Sequence, residues 1–82
     1  MVTQKTSLTD LFNIVTTTLP DVDEGEIFIV KDLFRGFEWK RIAKGNRTKL
    51  GSMVFAWANN AGASVIQPLN KTPQNQQIYK KL

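Results

Sequence analysis

Residues 31–57, KDLFRGFEWKRIAKGNRTKLGSMVFAW, hold three of the five Phe, both Trp and seven of the eleven basic residues of this 82-residue chain. The stretch reads as two helices joined by a short turn. Lys31-Asp32-Leu33-Phe34 has helical spacing, Gly36 interrupts it and Glu38–Ile42 resumes it. One short helix with a weak or kinked middle is therefore expected over 31–42. Ala43–Asn46 is the connection, with Asn46 as cap of the next helix. That helix is expected over 46–60. Leu50, Met53, Val54, Trp57 and Ala58 form its apolar stripe, and Thr48, Lys49, Ser52, Ala56 and Asn59 face away. Phe55 falls on the margin, and Gly62 is the expected left-handed stop. Phe34 and Trp57 lie on apolar stripes and read as core.

Upstream, Ser7-Leu8-Thr9-Asp10 fits a capping box. Leu8, Leu11, Phe12, Val15 and Leu19 then line one helical face, which predicts a packing helix over about 8–18 that Pro20 stops. Met1–Thr6 is polar and expected to fray. Asp21–Glu26 is an acidic loop turning at Gly25. It lacks the twelve-residue ligand pattern of a calcium loop, so no metal site is expected. Ile27–Val30 reads as a buried strand.

Downstream, Val65–Leu69 and Gln76–Leu82 read as strands of a hairpin with a polar tip at Asn70–Asn75. The two-residue period puts Ile78 on the buried face, either with Leu82 or with Val65 and Leu69 opposite, and Gln77, Tyr79 and Lys81 on the other. The order helix, strand, helix, turn, helix, hairpin predicts an α+β fold, a winged helix-turn-helix, as one domain over 1–82. The first strand would pair with the hairpin in a three-stranded antiparallel sheet. A helical bundle carrying a stray hairpin is the competing arrangement.

Composition narrows the chemistry. The chain has no His and no Cys, so a Ser-His-Asp or Cys-His constellation cannot form within it and structural zinc is disfavoured. No phosphate loop or dinucleotide fingerprint is present. No enzyme and no cofactor are expected. The N-terminus has no signal-peptide pattern, and no apolar run nears the roughly 20 residues of a membrane span. A cytoplasmic protein without membrane contact is the expectation.

Charge is segregated. Residues 1–30 set Lys5 against Asp10, Asp21, Asp23, Glu24 and Glu26, whereas residues 31–82 set ten cations against Asp32 and Glu38. No acid follows Glu38. Ordinary solvated surfaces mix signs, so this segregation predicts a positive face and an anionic partner. Cations interleaved with aromatics suit nucleic acid, where the cations follow phosphates and the rings stack on bases.

The series Lys31-Asp32-Leu33-Phe34-x-Gly36-Phe37-Glu38-Trp39-x-x-Ile42, then Asn46-Arg47-x-x-Leu50-Gly51-x-x-Val54-Phe55, ends with Asn75-x-Gln77-x-Tyr79-x-Lys81. These residues resemble a small family of Gram-positive bacterial proteins first catalogued as a domain of unknown function. That family is carried on staphylococcal cassette chromosome elements and other mobile elements. The resemblance covers residues 24–82. It implies a winged-helix fold and binding of single-stranded DNA without the OB-fold usual for that task. It assigns no individual contact residue.

The contacts are therefore inferred from residue chemistry. Lys40, Arg41, Lys44, Arg47 and Lys49, around the turn and the start of the helix after it, are the expected phosphate contacts. Lys71, Lys80 and Lys81 extend the track along the hairpin. The amides at that helix N-terminus add donors for a phosphate, and Gly45 and Gly51 leave room for a backbone to approach. Phe37, Trp39, Phe55 and Tyr79 are the candidates for base stacking, each with a core role as its alternative.

The expected function is sequence-tolerant single-stranded DNA binding in the replication or transfer of a mobile element. The acidic first third beside a basic remainder offers head-to-tail self-association along a strand, and replication proteins are candidate partners. A duplex-binding winged-helix regulator would read base edges with Thr48, Lys49, Ser52, Ala56 and Asn59, a thin set for that purpose. A protein-interaction adaptor of a phage or plasmid is the third reading, because the fold alone does not imply DNA binding.

Overall fold

The computed structural model covers residues 1–82. The first helix, α1 (Leu8–Thr18), starts where Ser7 Oγ accepts the Asp10 N–H at 3.1 Å. This satisfies one of the free amides of the first turn, and the Asp10 carboxylate sits at the positive end of the helix. Leu11 and Val15 are buried from α1, and Leu19 follows in a single 3₁₀ turn, Leu19–Asp21. Pro20 fits there because the start of a turn needs no amide from it. Phe12 meets Trp57 edge-on, with ring centroids 6.0 Å apart at 84°.

Within the polar start of the chain, where fraying is expected, Val2 is held. The Val2 side chain is wholly buried. Its N–H donates to Glu38 Oε2 at 2.9 Å, and its carbonyl accepts from Arg41 Nη1 at 3.0 Å. One buried apolar side chain and two backbone hydrogen bonds oppose the entropy that a free end would keep.

The strand β1 (Ile27–Ile29) is shorter than expected and lies at an edge, with only Phe28 buried. Val30 opens a 3₁₀ turn, Val30–Leu33, whose Asp32 carboxylate accepts the Ile29 N–H at 3.0 Å. Residues 31–42 are thus not one kinked helix. The chain is extended at Phe34 and Arg35, and α2 (Gly36–Arg41) begins only at the glycine expected to interrupt it. Phe34 and Trp39 close the break, their rings 5.6 Å apart.

Only Ile42 and Ala43 separate α2 from α3 (Lys44–Ala58). Ile42 is buried and anchors the turn. Asn46 lies within the first turn of α3 and does not cap it; Ala43 occupies that position and no side chain caps the end. Leu50, Val54 and Ala58 are buried, Met53 and Trp57 half-buried. Gly62 does not adopt the expected left-handed backbone, which belongs to Gly25 (φ 87°) and Asn75 (φ 66°). Gly62 instead lies against the indole of Trp57, where a Cβ would sit 2.5 Å from ring atoms.

The strands β2 (Ile66–Lys71) and β3 (Gln77–Lys81) form the hairpin, and β1 pairs with β3, giving the antiparallel order β1-β3-β2. The predicted facing of the hairpin is reversed. Tyr79 and Ile66 are wholly buried, whereas Leu69 and Leu82 are exposed. The cause lies in the pairing: Tyr79 is opposite Phe28 and Pro68, and its ring stacks on Phe28 at 5.8 Å. That register turns Ile78 and Lys80 outward beside Ile29 and Ile27. Leu69 faces outward by the two-residue alternation that buries Ile66, and a bulge follows between Pro68 and Lys71.

Three helices around one apolar core, with a three-stranded antiparallel sheet ending in a hairpin wing, make an α+β, winged-helix-like fold. No charged side chain is buried in that core, so the cations are all displayed at the surface or its margin. No helix is long and apolar enough to cross a membrane.

Candidate nucleic-acid interface

Lys44, Arg47, Thr48, Gly51, Ser52 and Phe55 recur along α3 at helical spacing and form a second stripe, distinct from the core stripe. They make one wall of a groove of about 650 Å³. The opposite wall is the hairpin tip, with Lys71, Gln74, Asn75 and Gln76. Trp39 and Tyr79 also line the space, and Lys31, just past β1, stands at its margin. Four cations line this groove and no carboxylate does. The asymmetry of charge along the chain has therefore become an asymmetry in space.

Several predicted contacts meet here. Lys44, Arg47 and Lys71 line the groove with the aromatics Trp39 and Phe55. Phe55 is 44% exposed, enough to present a ring edge or face to a base. Arg47 places its guanidinium carbon 5.3 Å from the centre of the Trp39 ring, a cation–π arrangement that holds both groups at the wall. The start of α3 carries no side-chain cap and no acid in its first turn.

Other predicted residues lie elsewhere. Arg41 is held by the Val2 carbonyl and lies 5.0 Å over the Phe37 ring, beside the N-terminal segment. Phe37 is 47% exposed but on that side of α2 and not in the groove. Lys40 and Lys49 are exposed outside it. Lys80 points from the outer face of the sheet, and Lys81 donates from Nζ to the Val22 carbonyl at 3.1 Å. Tyr79 is a core residue, not an outer-face one; its wholly buried ring has no face free for a base. Burial also pushes its hydroxyl pKa up to about 12.

The sequence reading missed Lys31, Gln74, Asn75 and Gln76 as lining residues and placed Thr48 and Ser52 with an outward face. The signal for the helical part was present: 44, 47, 48, 51, 52 and 55 follow the i, i+3, i+4 rule. It was masked because the stripe mixes Lys, Thr, Gly, Ser and Phe rather than one chemical type. The tip residues gave no local signal, since what brings them to α3 is the fold of the hairpin.

The family model described as Domain of unknown function (DUF1413) matches residues 13–81. No curated protein and no solved structure matches the chain.

Proposed function

The chain belongs to that family, whose description assigns no activity, and we propose that it binds single-stranded DNA in a sequence-tolerant way, serving replication or transfer of a mobile element. The observation that carries the binding is the groove between α3 and the wing, lined by four cations, by the aromatics Trp39, Phe55 and the buried Tyr79, and by no acid. Phosphates of a strand would run past Lys44, Arg47, Lys71 and Lys31, while bases reach Phe55 and the exposed part of Trp39. Stacking of this kind is worth roughly 1–3 kcal/mol per base and does not depend on base identity. The mobile-element setting rests on the resemblance of the KDLF, GFEW and NR-LG residues.

The α3 surface supports strand over duplex. A duplex reader needs a helix whose exposed face reaches base edges in the major groove. Here Lys44, Arg47, Ser52 and Phe55 look into a groove that the wing tip closes on its other side. The remaining outward face of α3 offers Lys49, and Asn59 just past its end donates its amide to the Phe55 carbonyl at 2.8 Å.

The test compares a fluorescent single-stranded oligonucleotide with its duplex across salt concentrations. Tighter binding of the strand, weakening as salt rises, is the expected result, because phosphate neutralisation releases counterions. Equal or tighter duplex binding would favour the winged-helix regulator. A flat salt response with both would favour the protein adaptor.

A further inference from the structure

Two buried side-chain polar atoms have no hydrogen-bond partner in this protein: Nε of Arg47 and the hydroxyl of Tyr79. Both residues line the same groove. Buried polar groups are nearly always partnered, so two orphans at one groove point to a partner from outside. Both groups can donate, and Nε can only donate. Lys44 and Lys71 face the same space with no carboxylate among them, so the missing acceptor is anionic. Gly51 sits in mid-α3 with open space where a Cβ would be. Glycine weakens a helix at that position, yet here it keeps the groove wall recessed. The volume, about 650 Å³, is in the range of pockets that take a small ligand, roughly 300–1,000 Å³.

We propose that the groove is a subsite for one nucleotide unit, its phosphate oxygens accepting from Arg47 Nε and the Tyr79 hydroxyl once the groove side chains that cover these two buried atoms move aside. The assignment to a unit within a polymer rests on the single-strand reading; the phosphate-ester chemistry does not. Gln74 and Asn75 also line the groove, and their amides are available to the sugar or base of the unit.

The test uses the full ¹⁵N-labelled chain with an oligothymidylate of about ten nucleotides, with dTMP and with thymidine. The Arg47 Nε–H signal is expected to move on adding the strand or millimolar dTMP, but not thymidine. Tyr79→Phe, shown to be folded by its amide spectrum, is expected to weaken strand binding about three- to tenfold. Gly51→Leu, which fills the groove without touching the core, is expected to weaken it more than about tenfold. If the strand binds while the Arg47 signal stays still and both variants bind like the wild type, strand binding stands and the subsite is overturned. If no strand binds, the single-strand reading fails and the dTMP titration decides the groove by itself. An Arg47 shift then keeps it as a phosphate-ester site, and no shift overturns it.

Discussion

The guanidinium of Arg47 lies over the indole of Trp39, 5.3 Å from the ring centre, and this pair joins α2 to α3 at the wall of the groove. The contact restrains the guanidinium, so under the proposed function its N–H groups would meet a phosphate with less rotamer freedom to lose. Arg47→Ala should weaken strand binding by about 1–2 kcal/mol and lower stability by only about 0.5–1 kcal/mol. Arg47→Lys keeps the charge but not the plane or the Nε–H, so it should recover part of the affinity and not all. Fluorescence anisotropy and urea unfolding on the same samples separate the two effects.

Salt dependence should report the four lining cations. With Lys31, Lys44, Arg47 and Lys71 neutralising phosphates, log K against log salt should fall with a slope of about −3 for a single strand. Lys71→Ala should make the slope shallower by about 0.7. Lys80→Ala, on the outer face of the sheet, should leave it unchanged. A slope that responds equally to both substitutions would place the strand along the hairpin rather than in the groove.

Much of this architecture was legible one element at a time. The bounds of α1 follow from Ser7, the Leu11, Val15 and Leu19 spacing and Pro20, all local signals. Pairing of β1 with the hairpin follows from the order of elements. What failed depended on contacts between elements. The facing of β3 was reversed because register, not composition, decides which side is covered, and Tyr79 opposite Phe28 sets it. The break at Phe34 and Arg35 was placed at Gly36 because a glycine within a helical pattern reads as an interruption, although it also opens helices. Of the groove lining, Lys44, Arg47, Lys71, Trp39 and Phe55 are singled out by residue type, while the placing of the wing tip beside them requires the fold.

Gly62 should tolerate no side chain. A Cβ there would lie 2.5 Å from atoms of the Trp57 indole, which is itself packed against Phe12. Relief would require moving Trp57 off α1 or shifting the turn that leads into β2, through which the Val65 and Ile66 amides donate to the Gly62 carbonyl. Gly62→Ala should cost roughly 1–3 kcal/mol, as overpacking does. Urea unfolding followed by tryptophan emission gives the stability and shows whether Trp57 becomes more exposed. Unchanged stability would mean that the indole has room to move.

Arg41 and Lys44 should separate stability from binding, although they are three residues apart. Arg41 donates to the Val2 carbonyl and covers Phe37, whereas Lys44 opens the groove wall. Arg41→Ala should release the N-terminal segment and lower stability by about 1–2 kcal/mol, with little change in strand affinity. Lys44→Ala should do the opposite. Amide exchange at Val2, whose N–H is held by Glu38, should speed up in the first variant only.

Tyr79 should make stability fall in alkali. Burial raises its pKa from 10.0 to about 12, because the phenolate would be poorly solvated. The unfolded chain therefore loses the proton first. The protonated phenol's contribution is fully present below pH 10 and is lost as pH rises from 10 through 12, by up to roughly 3 kcal/mol. Tyr79→Phe has no proton to lose. It also removes a buried hydroxyl that has no partner, so at neutral pH it should be as stable as the wild type or about 1 kcal/mol more so. The gap should then widen in favour of the Phe variant above pH 10. All other side chains are common to the two proteins, so the comparison isolates Tyr79. Parallel urea unfolding of the two proteins at pH 7, 9, 10.5 and 11.5 checks this. A wild type that is the more stable at pH 7 would mean that the hydroxyl has a partner within the fold, and the groove would lose one of its two free donors.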